Sequence, residues 1–103
     1  MQPSAIGESL VSWGGCFRQA IASAAGTVTL KAAPARLCRI LVTAAGTAAV
    51  TVFDNAAAAS GTILFVSPTT TTLGQIFDIQ MPAQLGITVS DPASGPGITV
   101  TWN

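Results

Sequence analysis

From Gly26 to the last residue the chain is a series of short β-branched runs. Gly, Pro, Asp and Asn cut these runs at near-even intervals. That pattern predicts an all-β antiparallel sandwich, jelly-roll or Ig-like, of about seven to eight strands. Seven strands are read directly, over 27–32, 36–43, 49–54, 62–67, 75–81, 85–90 and 97–103. Side chains alternate faces along a strand, so each run assigns an inner set. The inner sets are Val28 and Leu30; Cys38, Ile40 and Val42; Val50 and Val52; Phe77, Ile79 and Met81; Leu85, Ile87 and Val89; and Ile98, Val100 and Trp102. "TILFVS" is apolar on both faces, and Leu37 and Leu41 leave the second face of 36–43 partly apolar as well. Threonine, β-branched yet polar, suits the solvent side of such strands.

Residues 1–25 follow a different pattern. Their alternation is weak and Gly14–Gly15 interrupts it, so they are expected to form an N-terminal arm or edge segment beside a domain over 26–103. Within them, "CFRQAIASAA" reads as a short helix or an irregular strand.

Pro34, Pro68, Pro82 and "SDPASGPG" mark the connections, through fixed φ, Asp-to-backbone bonding and glycine's freedom at positive φ. "VTVFDNAAAASGTILFV" (50–66) poses a choice, because four alanines favour helix. A helix stable by itself needs about 12 residues, and this loop is far shorter. It is expected to be a hairpin loop, opened by Asp54–Asn55 and closed by Gly61. "ITVSDPASGPGITV" (87–100) echoes it and reads as a second hairpin of the same kind, or as turn chemistry common to any hairpin.

Charge narrows the partners. Only 8% of the 103 residues are charged, against roughly 25% in an ordinary domain, and the net charge is zero. Such a surface promotes association. It suits a subunit held in an assembly better than a free monomer. No basic stripe exists to neutralise phosphates, so nucleic acid is not an expected partner. The longest charge-free stretch, 55–77, contains Pro68 and four consecutive threonines, so no membrane span is expected. The first residues, "MQPSAIGES", lack the basic and apolar regions of a secretory signal, and use without Sec export is expected. Cys16 and Cys38 are then expected as reduced thiols.

Catalytic chemistry is not expected. The chain has no histidine and no tyrosine, so neither a Ser-His-Asp nor a Cys-His arrangement is available. Asp54 and Asp91 both open loops. They raise the idea of a carboxylate pair and, with Asn55, of a calcium set, but turn chemistry is the stronger reading. No cofactor or metal site is assigned. Trp13 and Trp102 raise the idea of a carbohydrate platform, but the inward register of Trp102 favours core packing or a subunit contact. Arg36 and Arg39 are expected to pair with Asp54 or Asp78 across a sheet, or to face a neighbouring subunit. The candidate interface residues are Trp13, Phe17, Arg18, Arg36, Arg39, Ala57, Ala58 and Trp102.

The run "ARLCRILVTAAGTAAVTVFDNAAAASGTILF" (35–65) resembles small virion proteins of tailed bacteriophages. The matching pattern is R-L-x-R before a hydrophobic strand, then T-x-A-G-T-x-x-V-T-(V/I)-(F/Y)-D-N, a small-residue loop and S-G-T. It falls on Arg36, Leu37, Arg39, Thr43, Ala45–Thr47, Val50–Asn55 and Ser60–Thr62. The resemblance implies a capsid decoration, or cement, protein. It would be made in the host cytoplasm and sit as a homotrimer on the outer surface of a phage head, against the major capsid protein. A neck, tail or fibre module is the alternative within the same class, and a carbohydrate-binding module lies outside it.

Overall fold

The computed structural model describes residues 15–103. Trp13 and most of the segment expected as an arm lie outside the described residues. Among the described residues there are eight strands: β1 (Phe17–Ile21), β2 (Gly26–Lys31), β3 (Ala35–Ala44), β4 (Thr51–Asp54), β5 (Thr62–Val66), β6 (Ile76–Ala83), β7 (Ile87–Asp91) and β8 (Gly97–Trp102). They form two four-stranded antiparallel sheets. Sheet I has the order β1-β8-β3-β6 and sheet II the order β2-β7-β4-β5. "CFRQAIASAA" thus resolves into edge strand β1 and a turn.

The pairings nest. β1 pairs with β8, β2 with β7, β3 with β6 and β4 with β5. The chain therefore runs as one long hairpin bent at the β4–β5 loop. Rolling that hairpin up brings β8 against β3 and β7 against β4. This wrapping is the jelly roll, one of the two sandwich types the sequence predicts.

The inner faces meet in one core of Ile21, Leu37, Ile40, Val42, Val50, Val52, Ile87, Val89, Ile98, Val100 and Trp102. Along β8 the alternation is strict, with Ile98, Val100 and Trp102 buried and Thr99 and Thr101 half-buried. On β5, Leu64 and Phe65 pack on the core, while Ile63 and Val66 stay exposed. Phe65 meets Phe77 of β6 at 5.0 Å between ring centres, which closes the side of the sandwich where β5 and β6 are edge strands.

Two inward assignments are corrected. Leu85 is 60% exposed, because β7 starts only at Ile87 and Leu85 belongs to the turn before it. Met81 is 43% exposed. Gln80 adopts φ 53°, and the β3–β6 register slips there, so Ile79 and Gln80 together oppose Cys38. Such a bulge breaks the period of two. Cys38 is also the extra residue of β3 against β8. Leu37 and Ile40 can therefore both face the core although they are three residues apart.

Of the two readings of the echo at 87–100, the structure selects shared turn chemistry. β4 and β5 do form a hairpin, but β7 lies in sheet II and β8 in sheet I. Residues 92–96 carry the chain between the sheets, so the likeness of the two segments is shared turn chemistry.

Ile98 is fully buried where β8 pairs with both β1 and β3. Ile98→Ala is expected to cost about 2–5 kcal/mol. Thermal unfolding followed by circular dichroism should fall by roughly 10 °C or more. Ile63→Ala, at an exposed edge position, should shift it by only a few degrees.

Candidate functional site

Strand direction alternates, so the connections sort to two ends of the sandwich. Loops 32–34, 55–61 and 84–86 share one end with the start of β1 and the last residue of β8. Loops 22–25, 45–50, 67–75 and 92–96 share the other.

At the first end the alanine loop is folded back rather than projecting. Asn55 Oδ1 accepts the N–H groups of Ala57 and Ala58, each at 2.9 Å, and its Nδ2 donates to the Ser60 carbonyl at 3.1 Å. That single side chain shapes the turn. The Asn55 carbonyl accepts the Thr88 hydroxyl at 2.9 Å, which buries a threonine of the outer sheet surface completely. Gly86 lies beneath, and a Cβ there would stand 2.9 Å from both Ala56 Cα and the Asn55 carbonyl oxygen. Ala57 and Ala58 remain exposed.

Asp54 does something sequence reasoning missed. Its carboxylate accepts the N–H groups of Gln84 (3.0 Å), Leu85 (2.8 Å) and Gly86 (3.3 Å). These bonds hold its pKa below the ordinary 3.8. Asp54 therefore clamps the β6–β7 turn, and Asn55 alone shapes its own loop. Local spacing carries no signal for this clamp, because the N–H groups it holds begin 30 positions further along the chain.

At the opposite end, Asp91 is 1% exposed, and neither carboxylate oxygen has a hydrogen-bond partner at good geometry. Burial raises its pKa to about 6, with the Ala24 backbone N–H pulling weakly the other way. Gly95 packs so closely on this carboxylate that no Cβ fits. The Ser94 carbonyl accepts the N–H groups of Thr47 and Ala48 at 2.8 and 3.0 Å, which pins the crossover to the β3–β4 connection. Nearby, the buried Thr71 hydroxyl accepts the Gly46 N–H at 2.9 Å. One of the four threonines in the polar connection is thus an internal clamp.

Asp54 and Asp91 stand at opposite ends of adjacent strands, since Thr51 faces Ser90 and Phe53 faces Thr88. Four residues of strand separate them, roughly 13 Å. That distance dissolves both the carboxylate pair and the calcium set with Asn55. Among the described residues no group of three or more metal-ligating side chains of the His, Cys, Asp and Glu types comes together. No helix among them is long and apolar enough to cross a membrane. Cys16 is exposed and Cys38 is buried, and no disulfide joins them.

The interface candidates divide by place. Trp102 is buried in the core, and its ring is covered by Phe17 at 6.0 Å, so it offers no open platform for a sugar. Phe17 itself is 56% exposed. Arg36 lies opposite Pro82, at the end of the sandwich that also carries the alanine loop. Arg18 and Arg39 share the outer face of sheet I with Thr101 between them. Arg39 meets Asp78 at 3.5 Å, the only ion pair among the described residues and one of the pairings expected. Both groups are well exposed, so the pair contributes little to stability.

Comparison with protein-family models, with curated proteins and with solved structures finds no match.

The two aspartates have opposite effects on pH stability. The depressed Asp54 stabilises the fold above about pH 4, and that contribution is lost as pH falls through its folded pKa. The raised Asp91 costs nothing below 3.8, costs progressively more up to about 6, and carries its full penalty above that. Asp91→Asn removes the buried charge and is therefore expected to stabilise at pH 7 by up to about 3 kcal/mol, the cost of a pKa raised from 3.8 to about 6. The gain should vanish towards pH 4 in urea titrations. Asp54→Ala should speed amide exchange at Gln84, Leu85 and Gly86 while leaving the β8 amides protected.

Proposed function

We propose that this chain is a structural virion protein, a decoration subunit that reinforces a bacteriophage head from its outer surface. The observation that carries the reading is the character of the surface. Phe17, Leu41, Ile63, Val66, Leu73, Ile76, Met81 and Leu85 all stand exposed on a chain with only four basic and four acidic residues. Single exposed apolar side chains are ordinary, but here they group. Leu41 and Ile76 are direct cross-strand partners, and Phe17 on edge strand β1, Met81 on edge strand β6 and Leu85 in the 84–86 turn all lie at the end that carries the alanine loop. Ala57 and Ala58 add small, uncharged contact area there. A surface of this kind gains from permanent cover by a shell and by other copies of the chain.

The jelly roll is compatible with this role, since viral capsid domains use it, but lectins and enzymes use it too. The pattern shared by residues 35–65 with phage virion proteins supplies the specific direction. It falls on β3, β4, the alanine loop and the start of β5. A place in the neck, tail or fibre is the competing reading, and it differs in location rather than in physics.

Cosedimentation of the purified protein with capsids of the encoding phage tests the proposal. Saturable binding to heads is expected. Antibody label confined to tails would transfer the protein to the competing role, and absence from virions would overturn both. Ala58→Lys should leave the melting curve within about 0.5 kcal/mol of the parent, as exposed substitutions do. It should weaken capsid binding about tenfold, because a lysine would bring an uncompensated charge into the contact.

A further inference from the structure

Among the described residues, sheet I ends in two strands that pair on one side only, β1 and β6. Its ladder partners run straight across from one to the other. Arg18 faces Thr101, Thr101 faces Arg39, and Arg39 faces Asp78. In the next outward row Ala20 faces Thr99, Thr99 faces Leu41, and Leu41 faces Ile76. The outer face therefore terminates in a cation at one edge and an anion at the other, at the same height. Beside them stand a small residue at the first edge and a 63% exposed isoleucine at the second. Strands β1, β8, β3 and β6 alternate in direction, so β1 of a second copy set beside β6 would run antiparallel to it and extend the ladder.

The charges have capacity for this contact. Arg18 has no carboxylate within ion-pair distance among the described residues. Asp78 receives Gln80 Nε2 at 2.8 Å and Arg39 Nε at 3.5 Å, both on Oδ1, and a carboxylate accepts at both oxygens. Edge strands usually carry devices against pairing, and β6 has two of them in its second half. Gln80 bulges the strand with φ 53°, and Pro82 has no N–H to donate. The first half, Ile76–Ile79, has neither device.

We propose that copies of this chain join head to tail, β1 of one adding to the Ile76–Ile79 half of β6 of the next, with Arg18 beside Asp78 and Ala20 against Ile76. The bulge and Pro82 stop the ladder from running further and so fix its register. Unlike surfaces meet in this contact, so it closes into a ring or continues as a filament according to the rotation per subunit. The contact rests on the reading of the chain as an assembling subunit, and it names the surfaces that reading leaves open.

Light scattering on size-exclusion fractions tests it, with circular dichroism confirming that each variant folds. The parent is expected as an oligomer. Arg18→Glu and Asp78→Lys should each lower self-association at least tenfold. An equimolar mixture of the two should associate again with the variants alternating, since the introduced glutamate then faces the introduced lysine and the native Arg18 faces the native Asp78. The double variant R18E/D78K should regain the parent's mass. Asp78 also bonds within its own subunit, so Arg18→Glu alone suffices should Asp78→Lys fold poorly. An oligomer indifferent to Arg18→Glu would overturn this contact and leave the assembling-subunit reading standing. A monomer that still binds capsids would do the same, and a monomer that does not bind them would overturn both.

Discussion

The burial of alternate residues on β8 is the constraint on which the remaining structure depends. This strand is central in sheet I, paired with β1 on one side and β3 on the other. Ile98, Val100 and Trp102 can leave water only if residues about 80 positions earlier in the chain come to lie beside them. Once β1 meets β8, the nested pairings inside that loop follow in turn. Fully buried aliphatic side chains each contribute about 1.5–3 kcal/mol against exposure. The polar features are arranged around that burial. Asn55, Asp54, Thr71 and Thr88 satisfy backbone groups at the two ends, where strands stop and the ladder can no longer do so.

One polar group departs from this order. Asp91 is buried at the crossover between the sheets without a good partner, and it reduces stability at neutral pH. Gly95 of the crossover packs directly against this carboxylate and leaves no room for a Cβ. The fold therefore carries a weak point at the end away from the alanine loop.

All seven strands from Gly26 onward were legible in the sequence, because their β-branched runs alternate and their boundaries carry turn residues with definite backbone roles. Pairing partners were not legible. The nested order depends on contacts between distant segments, and "SDPASGPG" reads locally like any hairpin although it joins different sheets. Met81 and Leu85 were misassigned for a related reason. A period-two reading has no means of seeing the bulge at Gln80 or the late start of β7 at Ile87. Among the site residues, the role of Asn55 in shaping its loop was readable from local spacing. The hold of Asp54 on residues 84–86 was not, because it spans about 30 positions. The Arg39–Asp78 pair was readable as one of several options, and register selected it.

The functional proposal follows from what this surface lacks and what it presents. A chain with so little charge and so many exposed apolar edges is poorly suited to life as a free monomer, and its jelly roll leaves one sheet with edges of opposite sign at matching height. A map of the virion at side-chain resolution tests this most directly. The predicted result is this jelly roll on the outer surface of the head, with β1 of one copy beside β6 of the next. A complete map of head and tail with no copy of this fold would contradict it.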